Sequence, residues 1–222
     1  MSKETSLGRR LVLRASAILP LALCARAAGA VTGPVPLAGE MDPLTAILTR
    51  RSVRSYTNRP VSEETLRAVL RAGMSAPSAG NEQPWVCVII RDKAALAKAG
   101  EINPYAKFAV QAPLAVLVCG DTTLDRTGGF WPLDCAACTQ NMLLAAHALG
   151  LGAVWTGIWP LPERMEGFRT LAGLPSFIVP LALVVMGYPA EHPGPEDRFK
   201  AERIHQGRWQ ERGADGEPEP GR

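Results

Sequence analysis

The strongest constraint on the fold is the run LAVLVCG at residues 114–120, which contains no polar residue to mark a face in water. A strand with one solvated face alternates apolar and polar residues, so this run predicts a strand that is covered on both faces. Other apolar runs predict further strands at 86–90, 151–157 and 179–189. Because helical patterns lie between these runs, we expect one layered α/β or α+β unit with an extended C-terminal arm after Tyr188.

Four segments have the end signals and the apolar spacing of helices. Asp42 caps the first of them, which we expect to end near Arg51. Ser62 caps the second, and Gly150 closes a long and apolar third helix. A short fourth helix is predicted at 162–172.

The first 30 residues have the composition of a transport signal. They run from basic to apolar to small residues, and the Arg9-Arg10 pair is typical of twin-arginine (Tat) export signals. The apolar stretch is short and contains Pro20, so we expect no stable membrane anchor. A signal predicts an exported, periplasmic protein. The alternative is an amphipathic N-terminus, which predicts a cytoplasmic protein.

After this signal at 1–30, the chain is expected to contain a linker at 31–41, one domain at 42–209 and a disordered tail at 210–222. A length of 222 residues suits one sizeable domain. The chain has 24 basic and 21 acidic residues. Five of the basic residues and one of the acidic residues lie in the first 30 positions, so the rest of the chain has 19 basic and 20 acidic residues. A nearly neutral body gives no reason to expect nucleic-acid binding.

Four arginines lie within ten residues of the segment TRRSVRSYTNRP, at positions 50, 51, 54 and 59. Such a cluster is either a solvated helix end or a binding site for an anion. Arginine offers a planar fork that matches phosphate, whereas lysine offers a point charge. The cluster alone leaves both interpretations open.

Several segments, in the same order along the chain, resemble the nitroreductase family of FMN-dependent oxidoreductases. They are RRSVRSY, APSAGNEQPW, the apolar strand after QAP, QNMLLAAHALGLGAVWTG, and the tail GYPAEHPGPEDRF followed by RIHQGRW. The resemblance covers roughly residues 42–209 and implies an α+β sandwich with a central mixed sheet flanked by helices. It also implies a domain-swapped homodimer, an extended C-terminal arm that wraps the partner, and one FMN in each of two clefts between the subunits.

The resemblance assigns the arginine cluster to the flavin. It implies that Arg50 and Ser52 face the phosphate and the ribityl chain, with Arg51 beside them. Arg54 then reaches the pyrimidine edge of the ring, where a fixed positive charge stabilises the anionic reduced flavin. Arg59 matches no family position, and we expect it to be solvated. The predicted anion is therefore the flavin phosphate.

The loop APSAGNEQPW supplies a second part of the site, which the resemblance implies comes from the partner subunit. Pro77 and Ser78 would contact the ring edge, and Asn81 its polar rim. Gln83 lies near them, and Trp85 is expected to pack. Taken alone, two prolines around a small polar run also describe a plain tight loop.

The segment VWTG and the tail supply the remaining residues that the resemblance implies. Glycine after a buried strand lets backbone N–H groups approach a flat ligand, and we expect Trp155, Thr156 and Gly157 to be backbone or ring-edge contacts. Arg198 falls where family members place an arginine on the phosphate. Glu196 falls where some relatives have a further basic residue, which predicts less positive charge around the phosphate here.

The resemblance implies ping-pong chemistry, in which NAD(P)H or another donor reduces FMN and leaves. A nitroaromatic or quinone acceptor is then reduced in the same cleft. Export argues against NAD(P)H as the donor, because that pool is cytoplasmic. Phe130, Trp131 and Trp159 form either an aromatic wall for a flat acceptor or part of the core. Reductive dehalogenation and other flavin chemistry on the same fold stay open.

A thiol–disulfide protein is the alternative from a different class, through the C-x-x-C formed by Cys135 and Cys138. Redox pairs of that kind follow a strand at a helix N-terminus, whereas these cysteines lie within a predicted apolar helix, which favours core packing. His147 lies on the same helix, and no His, Cys or acidic cluster in the sequence has metal-site spacing. We therefore expect neither a metal nor a protein nucleophile, and a cofactor that carries the chemistry.

Overall fold

The computed structural model describes residues 41–209, which contain five α-helices and four strands. The helices are α1 (Pro43–Thr49), α2 (Glu63–Met74), α3 (Lys93–Ile102), α4 (Trp131–Ala148) and α5 (Pro162–Ala172). The strands are β1 (Trp85–Ile90), β2 (Leu114–Asp121), β3 (Gly152–Gly157) and β4 (Ile178–Gly187). Short 3-10 helices lie at Ala79–Asn81, Pro104–Gln111 and Ala201–Arg203. All predicted helices and strands are present with slightly shifted ends, and α3 is an addition.

The predicted export signal at 1–30, the linker up to residue 40 and the tail at 210–222 lie outside the described residues. Within residues 41–209, no helix has both the length and the apolar character needed to cross a membrane.

The four strands form one sheet in the order β1-β2-β4-β3, and every neighbouring pair is antiparallel. The α+β class is confirmed, but among the described strands the sheet is antiparallel and not mixed. β2 and β3 run in the same direction, yet they cannot pair because β4 lies between them. A parallel contact does occur as an isolated bridge between Ser52, in the arginine segment, and Ala153 of β3.

β2 and β4 occupy the middle of the sheet and are covered on both faces, as the run at 114–120 predicts. On one face, Val116 and Val184 pack into a cluster with residues of α2 and α4. On the other face, Leu117 and Leu183 pack with residues of α3 and α5. The sheet therefore lies between two helical layers, and β3 is one of its two edges.

The start of α4 fits closely against β2 because Gly120 has no side chain. A Cβ atom at Gly120 would lie 2.2 Å from the ring of Trp131. Trp131 is buried there, and it meets Trp159 edge-on with ring centroids 6.0 Å apart. Trp131 therefore belongs to the core, whereas Phe130 and Trp159 remain partly exposed.

Two apolar surfaces of the described chain face outward. Leu44, Ile47 and Leu48, which the spacing in α1 predicts on an inward face, are all more than half exposed. The arm from 189 to 209 is largely exposed as well, and its apolar residues include Phe199 and Trp209. Exposed apolar side chains of this size are candidates for burial against a partner.

Candidate functional site

The arginine segment is held against the outer edge of β3. The backbone becomes extended at Arg50, directly after α1, with φ −58° and ψ 131°. The N–H of Val53 then donates to the Ala153 oxygen at 3.2 Å. Gly152 permits this approach, because a Cβ atom there would lie 2.6 Å from the Val53 side chain. These contacts between distant parts of the chain hold the arginine segment beside β3.

All five polar residues that were predicted around the phosphate, ribityl chain and pyrimidine edge come together. Arg50, Arg51 and Arg198 line a cavity of about 570 Å³ with apolar residues of α1 and the arm. Arg51 and Arg198 also line a neighbouring cavity of about 330 Å³, together with Ser52 and Arg54. Arg51 and Arg198 therefore line both cavities, which we call the two arginine cavities.

Arg50 is a half-buried cation without a partner. Among residues 41–209, its guanidinium makes neither a hydrogen bond nor an ion pair. Burial lowers the pKa of Arg50, and the neighbouring charges of Arg198 and Arg51 lower it further. A charge removed from water is unfavourable unless an opposite charge is supplied nearby. Arg50 is thus the group in the cluster that most needs an anion.

A carboxylate of the arm already joins the other two arginines. Oε2 of Glu196 accepts hydrogen bonds from Arg51 Nη1 at 2.7 Å and from Arg198 Nε and Nη2 at 3.2 and 3.0 Å. These bonds, that of Arg51 foremost, lower the pKa of the Glu196 carboxyl. Because both Glu196 and Arg198 are more than half exposed, their ion pair adds little to stability. The contacts nevertheless show that Arg51 and Arg198 converge on one oxygen atom.

Glu191 connects the arm to the arginine segment and was missed in the sequence. Its Oε1 accepts the backbone N–H of Arg54 at 2.5 Å and that of Ser55 at 3.1 Å. The N–H of Ala190 also donates to the Ser55 oxygen at 2.9 Å. No sequence motif indicates Glu191, because its partners are backbone groups that any residue provides.

The outer edge of β3 continues from the arginine segment to Gly157. In an antiparallel pair, alternate residues direct both backbone polar groups to the partner strand, and the residues between them direct both away. The N–H of Ile158 donates to β4, whereas the oxygen of Ala153 accepts from the arginine segment on the other side. Trp155 and Gly157 have the parity of Ala153, so their N–H groups point away from β4. Ala153 and Gly157 are about 13 Å apart, at about 3.3 Å per strand residue.

Asn103 fixes the end of this edge and was also missed in the sequence. It is fully buried, and its Nδ2 donates to the Gly157 oxygen at 3.1 Å. Arg164 Nη1 donates to the same oxygen at 3.0 Å. In the part of the chain that the structure describes, no side chain or loop oxygen accepts from the Gly157 N–H. Asparagine before proline in EINPY is typical of a turn, so the motif gives no hint of this contact.

Trp155 and Thr156 differ in what they offer to a ligand at the outer edge of β3. Thr156 is buried, its Oγ1 donates to the Leu183 oxygen at 3.1 Å, and its backbone has the parity that faces β4. It therefore offers no polar group to a ligand on the outer side. Trp155 offers its backbone there, while its side chain lines a separate cavity of about 410 Å³ with Trp159 and Leu181.

The loop with Pro77, Ser78 and Asn81 lies apart from the arginines within this chain. No residue of 77–83 lines either of the two arginine cavities. Ser78 Oγ accepts from the Gln83 N–H at 3.0 Å, and Asn81 Oδ1 accepts from Gln83 Nε2 at 2.9 Å. Asn81 and Gln83 have φ of 56° and 51°, in the left-handed region. The polar side chains of this loop therefore maintain its own shape, and its contact with a flavin of another subunit stays a prediction.

Two acidic side chains tie this loop to its neighbours. Asp134, in the first turn of α4, accepts the Ala79 N–H on Oδ1 at 3.0 Å. Its buried Oδ2 has no hydrogen-bond partner among residues 41–209. Oε2 of Glu82 accepts the N–H of Arg126 at 3.0 Å, which joins the loop to the segment before α4.

The C-x-x-C of α4 has the surroundings of core cysteines. Cys135 and Cys138 are fully buried, and Cys135 Sγ donates to the Cys119 oxygen at 3.4 Å. Burial raises the pKa of Cys135, and a hydrogen bond with Cys87, followed by burial, raises the pKa of Cys138. Because disulfide exchange needs a thiolate, these environments oppose a redox role. Within residues 41–209, no group of side chains is arranged to hold a metal ion.

Two residues near the arginines make specific contacts of their own. Arg59 is exposed, as expected, and its guanidinium also lies 3.8 Å from the ring centroid of Tyr188, at the start of the arm. His147 Nε2 lies 2.9 Å from Thr49 Oγ1 at the end of α1. Burial, and then the charge of Arg50, lowers the pKa of His147.

An antiparallel sheet between two helical layers, with a cluster of arginines at its edge, defines an α+β protein. The chain belongs to the nitroreductase family. The profile of the Nitroreductase family matches residues 47–116 and 103–188. A relative from Methanothermobacter thermautotrophicus is 47% identical over 170 residues, which cover 77% of this chain and 89% of the relative. That relative carries the name NADH dehydrogenase/NAD(P)H nitroreductase.

Solved structures confirm the nitroreductase-like fold. A protein from Parabacteroides distasonis with the same name is 41% identical, with a TM-score of 0.73, and the match covers 77% of this chain and 100% of that one. A nitroreductase from Desulfovibrio desulfuricans, solved in complex with FMN, is 34% identical with a TM-score of 0.66. That match covers 77% of this chain and 99% of the relative.

Proposed function

We propose that the protein is an FMN-dependent oxidoreductase that uses NAD(P)H, or another donor, to reduce nitroaromatics or quinones in a ping-pong sequence. Membership of the family supports the class of enzyme, and the FMN complex of the Desulfovibrio relative supports the cofactor. The names of the relatives support NAD(P)H as the donor. In this chain, the observation that carries the proposal is the half-buried, unpartnered Arg50 beside two further arginines.

The residues present fit the phosphate of FMN. A phosphate takes charge-assisted hydrogen bonds, each of which contributes about 1.5 to 3 kcal/mol. Arg50, Arg51 and Arg198 supply fork-shaped donors around one cavity. In the neighbouring cavity, Ser52 adds a hydroxyl and Arg54 a further positive charge. Such a site holds an anion of two negative charges better than it holds a neutral ligand.

The outer edge of β3 fits a flat ring. The N–H groups of Trp155 and Gly157 point away from β4, and a Cβ atom at Gly157 would meet nothing within 4 Å. Because Asn103 and Arg164 hold the Gly157 oxygen, the N–H of Gly157 is the group left to donate to a ligand. When bound, FMN supplies the two-electron chemistry, while these residues orient its ring and hold its phosphate.

We expect a second copy of the chain to complete the site in a homodimer. The loop with Pro77, Ser78 and Asn81 lies away from the arginines of its own chain, so the same loop of another subunit is needed to close the cleft. The exposed apolar residues of α1 and of the arm provide surface that such a partner would bury. Sedimentation of the purified protein at several concentrations tests this expectation.

We also propose that the pattern at 1–30 exports the protein. The support is the order of basic, apolar and small residues around Arg9-Arg10. Exported protein would need a donor other than cytoplasmic NAD(P)H. Replacing both arginines with lysine should retain the protein in the cytoplasm, as cell fractionation would show. Equal distribution of both versions would contradict export.

Anaerobic reduction of the purified holoprotein tests the enzymatic proposal. We expect a flavin spectrum, release of FMN on denaturation and bleaching by NADH, NADPH or dithionite. The reduced protein is then mixed with a nitroaromatic, a quinone and a haloaromatic compound, and rapid reoxidation by one class identifies the acceptor. Protein that neither contains nor binds FMN would contradict the proposal.

A further inference from the structure

Glu196 occupies the place that the proposed function gives to the flavin phosphate. One oxygen atom of its carboxylate takes three N–H donors from two guanidinium groups, those of Arg51 and Arg198. The same two arginines line both arginine cavities. The donors that a phosphate would need are therefore already in use by an anion of the protein itself.

Arg50, the third arginine, would bring a bound anion close to Glu196. Arg50 has no partner among the described residues, and it lines the same cavity as Arg51, Arg198 and Glu196. An anion that binds to Arg50 therefore comes near the Glu196 carboxylate. Two anions at such short range repel each other, so the phosphate and Glu196 compete for the same guanidinium groups.

Glu196 is also able to move away from Arg51 and Arg198. Its side chain is about half exposed, and within residues 41–209 its only partners are Arg51 and Arg198. The arm around it, from 191 to 200, contains no helix or strand. An exposed ion pair of this kind holds its geometry weakly. Displacement of Glu196 thus requires no rearrangement of the core.

We propose that Glu196 is an internal competitor of the flavin phosphate and limits how tightly this protein holds FMN. The inference rests on the proposed function, since it assumes that FMN is the anion. It assigns Glu196 a role in specificity, because only a flavin that carries a phosphate meets the competition. Riboflavin, which lacks the phosphate, would bind without displacing Glu196.

The test compares Glu196→Gln with the natural protein in titrations with FMN and with riboflavin, followed by flavin fluorescence. Glutamine keeps the size of the side chain and removes its charge. Glu202→Gln is the matched control, because it removes the same charge from the same exposed arm and Glu202 makes no ion pair in the described chain. Arg50→Ala is measured in parallel to test the phosphate site itself.

We expect Glu196→Gln to bind FMN about tenfold more tightly, a change of about 1.4 kcal/mol, and riboflavin equally well as the natural protein. Glu202→Gln should behave as the natural protein with both flavins. The inference is overturned if Glu196→Gln leaves FMN affinity unchanged, lowers it, or raises the affinities for both flavins alike. Failure of the proposed function looks different, because then Arg50→Ala leaves FMN affinity unchanged or no version binds FMN.

Discussion

The arginine segment and the loop at 77–83 are both polar, yet they differ in where their polar groups find partners. Arg50 is half-buried beside other cations and has no partner in the described chain. In the loop, by contrast, Ser78 and Asn81 both bond to Gln83, and the Ala79 N–H bonds to Asp134. The arginine segment therefore has a charged group left to bind a ligand. The polar groups named in the loop already bond to other groups of the protein.

This difference separates two kinds of contribution to one site. Unpaired charge in a partly buried place indicates a group that binds, because leaving it unpaired is unfavourable. Polar groups that satisfy one another indicate a scaffold whose shape matters more than any one side chain. We therefore expect substitutions in the arginine segment to change flavin affinity strongly and substitutions of loop side chains to change it weakly.

The largest effect is expected from truncation of the chain after Pro189. This change removes Glu191, which holds the arginine segment, and also Arg198 and the exposed arm. The truncated protein should lose its dimer and its FMN together, because a ligand bound only by the dimer stabilises it by about 4 kcal/mol at a thousandfold excess over its dissociation constant. Sedimentation and flavin fluorescence measure the two losses.

Arg198→Ala serves as the control for the truncation, since it removes one phosphate donor and leaves the arm in place. It should weaken FMN binding without dissociating the dimer. A truncated protein that stays dimeric, or a monomer that retains FMN, would show that dimerisation and flavin binding are independent.

Arg50→Ala is expected to weaken FMN binding by about thirtyfold, or about 2 kcal/mol, if it loses one good charge-assisted contact. Arg59→Ala is the matched control, because Arg59 is an arginine of the same segment that stacks on Tyr188 instead of lining the two arginine cavities. Titration of both variants with FMN measures their dissociation constants. Equal losses would mean that general charge, and not the position of Arg50, governs binding.

Asn103→Ala should slow the reduction of bound flavin several-fold and change FMN affinity less than Arg50→Ala does. The Gly157 oxygen would lose one of its two donors, so the backbone at the end of β3 would be less well fixed. Stability should also fall by about 1 to 3 kcal/mol, because a buried hydrogen-bonding side chain is removed. Stopped-flow reduction and thermal unfolding measure the two effects.

Asn141→Ala controls for stability alone, since Asn141 Nδ2 donates to the Ala72 oxygen at 3.1 Å, away from β3. It should be destabilised while the rate of flavin reduction stays normal. A similar loss of rate in both variants would assign the effect of Asn103 to general loosening of the fold.

The smallest effect is expected from Ser78→Ala. The Gln83 N–H loses its acceptor, but the loop is partly exposed and water replaces the hydroxyl, so FMN affinity should fall only about twofold to threefold. Isothermal titration measures this change. A loss as large as that of Arg50→Ala would show that Ser78 contacts the ligand directly and would remove the contrast between the two regions.

Features encoded by local sequence were predictable. The absence of polar residues at 114–120 predicted a strand covered on both faces, because burial leaves no position for a polar side chain. The cap at Asp42 depends only on neighbouring residues, and the arginines that follow it are adjacent in the chain, so local sequence was enough to locate the cluster.

Features that depend on distant contacts were not predictable. Arg51 and Glu196 are 145 residues apart, and Asn103 is 54 residues from Gly157, so no local pattern links them. The direction of the strands and the side of β3 on which Thr156 lies depend on register, which one sequence does not specify. These long-range contacts decide which of the predicted residues can meet a ligand.

A crystal structure of the full chain with FMN tests the central claim most directly. The account predicts that phosphate oxygens accept hydrogen bonds from the Arg50 guanidinium and from Arg51 or Arg198, with the Glu196 carboxylate turned away. It also predicts that the flavin ring lies along the outer edge of β3 near the Gly157 N–H. A flavin whose phosphate lies away from Arg50, with Glu196 still joined to Arg51 and Arg198, would contradict the account.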